Sequence, residues 1–143
     1  MEFKYNRDKQ TVINVLKRKA TKKNLKVDDN LENVEVSLEA GKFHNGEDYI
    51  PVTFKGKISD VDSGSVLKGG FYYGFYLYTL VIVAAILIVA RFVWSVIEKQ
   101  MGNIILCGIV TVLLAIVVIV VMMKSKKAKE IIIDCLNDLN VKS

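Results

Sequence analysis

Two long uncharged stretches, Phe71 to Ala90 and Gly102 to Met123, constrain this chain more than any other feature. They run 20 and 22 residues, and at a helix rise of about 1.5 Å per residue each covers the roughly 30 Å hydrocarbon core of a bilayer. Soluble domains carry their apolar residues in short periodic pieces. Here VIVAAILIVA and IILCGIVTVLLAIVVIVVMM are apolar on every face of a helix, as expected of segments surrounded by lipid. The expected class is therefore an integral membrane protein with two transmembrane helices. A cleaved signal peptide is not expected, because the first apolar run begins only at Phe71, behind a polar segment without a basic leader.

The basic residues near the span ends set the expected orientation. Lys55, Lys57 and Lys68 precede the first span, Lys124, Lys126, Lys127, Lys129 and Lys142 follow the second, and the connection offers Arg91 and Lys99, offset by Glu98. An excess of Lys and Arg marks the cytoplasmic side, so both termini are expected in the cytoplasm, at the cell (inner or plasma) membrane. Lys68, Lys124, Lys126, Lys127 and Lys129 are the expected contacts to anionic lipid. Arg91, beside Phe92 and Trp94, reads as an interfacial anchor or a snorkelling side chain. Phe71, Tyr72, Tyr73, Phe75, Tyr76 and Tyr78 read as an aromatic belt where the first span begins.

A tight turn near Lys99 to Gly102 would bring Ala84 and Ala85 to the depth of Ala115. Gly108, Thr111 and Ala115 share one helix face, and small residues allow close backbone approach, so Ala84, Gly108, Thr111 and Ala115 are the expected seam between the spans. A homodimer seam would use the same stripe. Neither span holds an acidic residue or a proline, so the marks of an ion or substrate path are missing.

The polar segments read as one small α+β domain. Phe3 and Tyr5 alternate with polar residues as in a strand, and Asn6 is positioned to cap a helix from Arg7 to Lys23, with Val12, Ile13, Leu16 and Ala20 on its apolar face. Val34 to Ala40 and Tyr49 to Ser59 show the period-2 pattern of half-buried strands. Pro51 belongs at an edge or at a strand start. A turn at Asp60 to Gly64 leads to a strand from Ser65 to Gly70. After the spans, Ile132, Cys135, Leu136 and Leu139 form the apolar stripe of an amphipathic helix. The expected architecture is thus a cytoplasmic antiparallel sheet (1–70) with an N-terminal and a C-terminal helix (124–143). A transmembrane hairpin (71–123, spans about 71–94 and 102–123) interrupts it. The tail helix either packs on the sheet or lies in the lipid interface.

Phe43, Tyr49, Pro51, Gly56, Gly64 and Phe71, within GKFHNGEDYIPVTFKGKISDVDSGSVLKGGF, carry a resemblance. Followed by two spans and an amphipathic helix, this stretch resembles a loose group of small uncharacterised bacterial two-span membrane proteins. The chain departs from their pattern at Gly46, Glu47 and Asp48. The resemblance implies a fold and an anchor, and no activity.

No reacting group is expected. The single histidine, His44, sits in a turn sequence with Asn45 and Gly46. Cys107 and Cys135 differ in depth and lack CxxC spacing, so neither a disulfide nor a zinc site is expected. Gly69-Gly70 and Gly74 lack the Gly-Lys-Ser/Thr of a phosphate loop, and Asp60, Asp62 and Gly64 lack the late glutamate of a calcium loop. No cofactor, small-molecule substrate or nucleic-acid partner is expected. Lys17, Arg18, Lys19, Lys22, Lys23 and Lys26 have no acid among them, within a net charge of +5, and suit a membrane surface. The expected role is non-enzymatic: a cytoplasmic domain that binds a protein partner or the anionic membrane surface. Its rivals are an accessory or immunity-type subunit of a larger membrane complex and a membrane-bound enzyme.

Overall fold

The computed structural model describes residues 1–39, 41, 44, 46, 49, 50 and 52–140. Ala40, Phe43, Asn45, Glu47, Asp48, Pro51 and Lys142, on which several sequence expectations drew, lie outside the described residues. The chain divides into two units, Met1–Gly74 with Ser125–Ser143, and Phe75–Lys124.

The first unit is an antiparallel five-stranded sheet of order β1-β5-β4-β3-β2, formed by β1 (Glu2–Tyr5), β2 (Leu25–Asn30), β3 (Asn33–Leu38), β4 (Val52–Val61) and β5 (Gly64–Tyr73). Helix α1 (Lys9–Lys22) follows β1. Its cap is Asp8 and not Asn6. The Asp8 carboxylate accepts the Thr11 backbone N–H at 3.0 Å and the Thr11 hydroxyl at 2.7 Å, so the helix begins where this acceptor satisfies an otherwise orphaned donor. Asn24 closes the helix at φ 54, a left-handed conformation that asparagine tolerates.

Pairing register assigns the two sheet faces. Phe3 opposes Leu67, Ile58 opposes Leu67, Phe54 opposes Phe71, and Val36 opposes both Phe54 and Val27. These residues share the core face with Val12, Ile13, Leu16 and Ala20 of α1. Phe54 is fully buried, and its ring meets Phe3 edge-on at 5.9 Å and Phe71 at 5.5 Å. Gly56 and Gly69 oppose each other beside it. A Cβ at Gly69 would lie on the Lys55 carbonyl oxygen and 2.8 Å from Phe54 Cζ, and one at Gly56 would lie 2.9 Å from Phe54 Cε1. The glycine pair is the space into which the ring fits.

Ile132, Cys135, Leu136 and Leu139 are buried in this same core. The tail residues Asp138 and Asn140 bond to the domain as well: the Lys19 ammonium donates to the Asp138 carbonyl at 2.5 Å, and the Asn140 amide donates to the Lys4 carbonyl at 2.5 Å. The amphipathic stripe is therefore consumed by the sheet and α1.

Three elements differ from expectation. Strand β2 has no counterpart among the expected elements, because Asp28, Asp29 and Asn30 are poor strand formers; its pairing with β3 decides it. Strand β5 runs on to Tyr73, so Phe71, Tyr72 and Tyr73 are strand residues and not the first turn of a span. The next helix begins only at Tyr76, after Gly74 and Phe75.

The second unit holds α2 (Tyr76–Ile97) and the first part of α3 (Met101–Asn137). Helix α3 runs without a break from the apolar stretch into the tail. Glu98, Lys99 and Gln100 make the turn. Lys99 N–H bonds the Val96 carbonyl at 3.2 Å and Gln100 N–H the Ser95 carbonyl at 2.9 Å, a helix-ending pair of bonds that places Lys99 at φ 53. Both helices are long and apolar enough to cross a membrane. Only 6% of each apolar window is buried within the structure.

Candidate functional site

Three surfaces of the described residues offer chemistry: the apolar helices, the basic turn of α3, and the polar face of the sheet.

In the second unit the less exposed positions recur at spacings of three, four and seven. On α2 they are Leu77, Val81, Ala84, Ile88 and Ser95, and on α3 they are Ile104, Cys107, Leu114, Val118 and Val121. That period is the one by which two helices lie side by side. Ala84 falls on this stripe. Gly108, Thr111 and Ala115 are exposed, and a Cβ at Gly108 would meet nothing within 4 Å. The inward position is Cys107, one residue away in phase, whose carbonyl also accepts the Thr111 hydroxyl at 2.8 Å. Gly108 instead floors a shallow apolar groove with Ile105, Ile109, Val112 and Leu113.

Lys124, Lys126 and Lys127 are exposed on α3. Lys129 is half-buried, its ammonium 5.2 Å from the centre of the Phe71 ring, a cation–π contact. Lys68 does not join them. It stands on β5 opposite Glu2 and Lys57, on the face turned away from the core into which the α3 tail packs. Part of the α1 cluster is also spoken for, since folding brings Asp29 to Lys17 at 2.6 Å and Asp138 to Lys23 at 3.3 Å.

The polar face carries alternating lysines and glutamates. Lys55 pairs with Glu35 at 2.9 Å, Lys57 with Glu32 at 2.7 Å, and Lys68 with Glu2 at 3.4 Å. The Lys57 ammonium, with Lys9 beyond it, holds the Glu32 carboxyl below its ordinary value. A hollow of about 360 Å³ lies between Asn33, Glu35, Lys55, Lys57, Lys68 and Tyr72. The sequence shows Lys55 and Lys57, and Lys68, Gly70 and Tyr72, each sharing a strand face, but only the register of β4 with β5 brings the two groups together.

Two groups sit in the core with raised pKa. Burial, then the neighbouring Cys135, pushes the Tyr5 phenol up, and burial pushes the Cys135 thiol up. Both are neutral at physiological pH, and the Tyr5 hydroxyl donates to a backbone carbonyl. Cys107 and Cys135 are free thiols. No group of three or more His, Cys, Asp or Glu among the described residues is placed to hold a metal. His44 is an exposed turn residue.

Comparison of the chain with protein-family models, with curated proteins and with solved structures returned no match.

Proposed function

We propose that the chain is an integral membrane protein of the cell membrane, held by the α2–α3 hairpin. Its α+β domain, with both termini, is cytoplasmic and serves as a non-enzymatic binding module on the anionic membrane surface. One observation carries the reading: two helices of spanning length leave almost all of their apolar side chains uncovered. A core helix of a soluble protein would be mostly buried. Left in water, so much contiguous apolar surface would drive association, whereas lipid solvates it. At roughly 25 cal/mol per Å², each large side chain exposed along these helices gains on the order of 1.5–3 kcal/mol by leaving water.

The basic turn supports the orientation and the surface role. Lys124, Lys126 and Lys127 have no ion-pair partner among the described residues, and each lysine near an anionic leaflet contributes about 1 kcal/mol. The exposed Gly108 groove favours a second reading, an accessory subunit of a larger membrane complex, since close helix approach needs such a notch.

Two measurements test the proposal. A Lys99→Cys variant, in a Cys107→Ala, Cys135→Ala background, should label from outside intact cells with an impermeant maleimide; labelling only after lysis reverses the orientation. The purified chain should float with vesicles containing anionic lipid and lose that anionic preference when Lys124, Lys126 and Lys127 become Gln. A stoichiometric membrane protein copurifying in mild detergent would instead establish the subunit reading.

A further inference from the structure

We propose that the hollow on the polar face of the sheet binds a phosphate monoester. Three observations converge on it, and none depends on the membrane reading.

The first is register. Lys57 and Lys68 are direct cross-strand partners on the neighbouring strands β4 and β5, and like charges set opposite each other are destabilising. Lys55 stands two pairs further along on the same face, opposite Gly70. Glu35, Glu32 and Glu2 take one contact from each lysine. An ammonium has three donors, so each lysine keeps donors for a ligand. Of the charged side chains that line the hollow, three are lysines, Lys55, Lys57 and Lys68, and one is a glutamate, Glu35.

The second is a glycine that packing does not require. Gly56 and Gly69 must lack a side chain because Phe54 and the neighbouring backbone fill the space. Gly70 lies on the other face, and a Cβ there would meet nothing within 4 Å. Its φ is not positive, so any strand former fits the backbone. Glycine at this position leaves an open floor between Lys55, Lys57, Lys68 and Tyr72.

The third is the wall. Tyr72 is more than half exposed and lines the hollow together with Asn33. A flat organic group can lie on the ring while the amide of Asn33 offers a donor and an acceptor. Roughly 360 Å³ is at the lower end of ligand-binding cavities and suits a mononucleotide or a phosphorylated headgroup. A dianion matches lysines that are point charges with rotatable donors.

The test uses the full chain in neutral detergent micelles, titrated with inorganic phosphate, adenosine monophosphate and short-chain phosphatidic acid, and read by calorimetry and Tyr72-sensitive fluorescence. Saturable binding of at least one is expected. Preference for the nucleotide identifies a soluble ligand, and preference for phosphatidic acid a headgroup. Lys57→Gln and Lys68→Gln should each weaken it about tenfold or more, as loss of a charge-assisted hydrogen bond does. Gly70→Val should abolish binding while leaving the thermal unfolding of the domain unchanged or raised. No saturable binding up to the millimolar range, or undiminished binding by folded Gly70→Val, overturns the proposal.

Discussion

The Tyr5 hydroxyl donates a 3.1 Å hydrogen bond to the Leu136 carbonyl across 131 residues of sequence. The bond joins the first strand to the end of the last helix. A carbonyl near a helix C-terminus lacks an intrahelical partner, and a buried phenol needs an acceptor, so each group satisfies the other. Tyr5→Phe should therefore cost about 1 kcal/mol, measured by denaturant unfolding of the domain followed by far-UV circular dichroism in constant detergent.

The same residue sets an alkaline limit. Its folded pKa is raised by burial and by Cys135, so its contribution is fully present below the free phenol value of about 10 and is lost as pH rises above it. Stability should decline from about pH 10 upward, and Tyr5→Phe should flatten that limb of the curve.

Burial likewise keeps Cys135 protonated. In a Cys107→Ala background, a charged disulfide reagent at pH 8 should leave the folded chain unmodified over minutes and react fully in denaturant, because the thiolate is the nucleophile. Rapid reaction of the folded chain would mean that the tail helix leaves the core.

Gly69 and Gly70 are neighbours with opposite demands. Gly69→Ala should destabilise the domain by roughly 1–3 kcal/mol or more, since the new methyl group falls on the Lys55 carbonyl and Phe54. Gly70→Ala should be neutral or stabilising by up to about 1 kcal/mol, because glycine weakens a strand interior. Thermal melts of the two variants side by side provide the comparison.

Leu31 turns the β2–β3 hairpin at φ 56 with its side chain 88% exposed. A left-handed conformation costs a non-glycine residue roughly 1–2 kcal/mol, and here no packing offsets it. Leu31→Gly should raise stability by about 1 kcal/mol. A melting temperature that falls would show that the leucine is held by a contact the free chain lacks.

Local pattern sufficed for much of the fold. The two apolar helices follow from uninterrupted runs of Val, Ile and Leu, and the faces of α1, β3 and β4 from their periods, because the environment of a side chain sets its polarity one residue at a time. Other features were invisible at that level. Asp8 displaced Asn6 as the cap because Thr11 stands three residues ahead of it with both a hydroxyl and an N–H to offer. Phe71 to Tyr73 became strand because β4 was there to pair with them. Cys107, and not Gly108, turned inward because the phase of a helix is set by the partner it meets. The polar hollow was equally hidden: Lys57 and Lys68 are eleven positions apart in the chain, and only cross-strand register makes them neighbours. Two uninterrupted apolar runs, read from the sequence by itself, determined that this chain carries two helices of membrane-spanning length. Which charges face one another, and where the tail helix rests, was decided by tertiary contacts, because pairing distance and burial depend on residues far away along the chain.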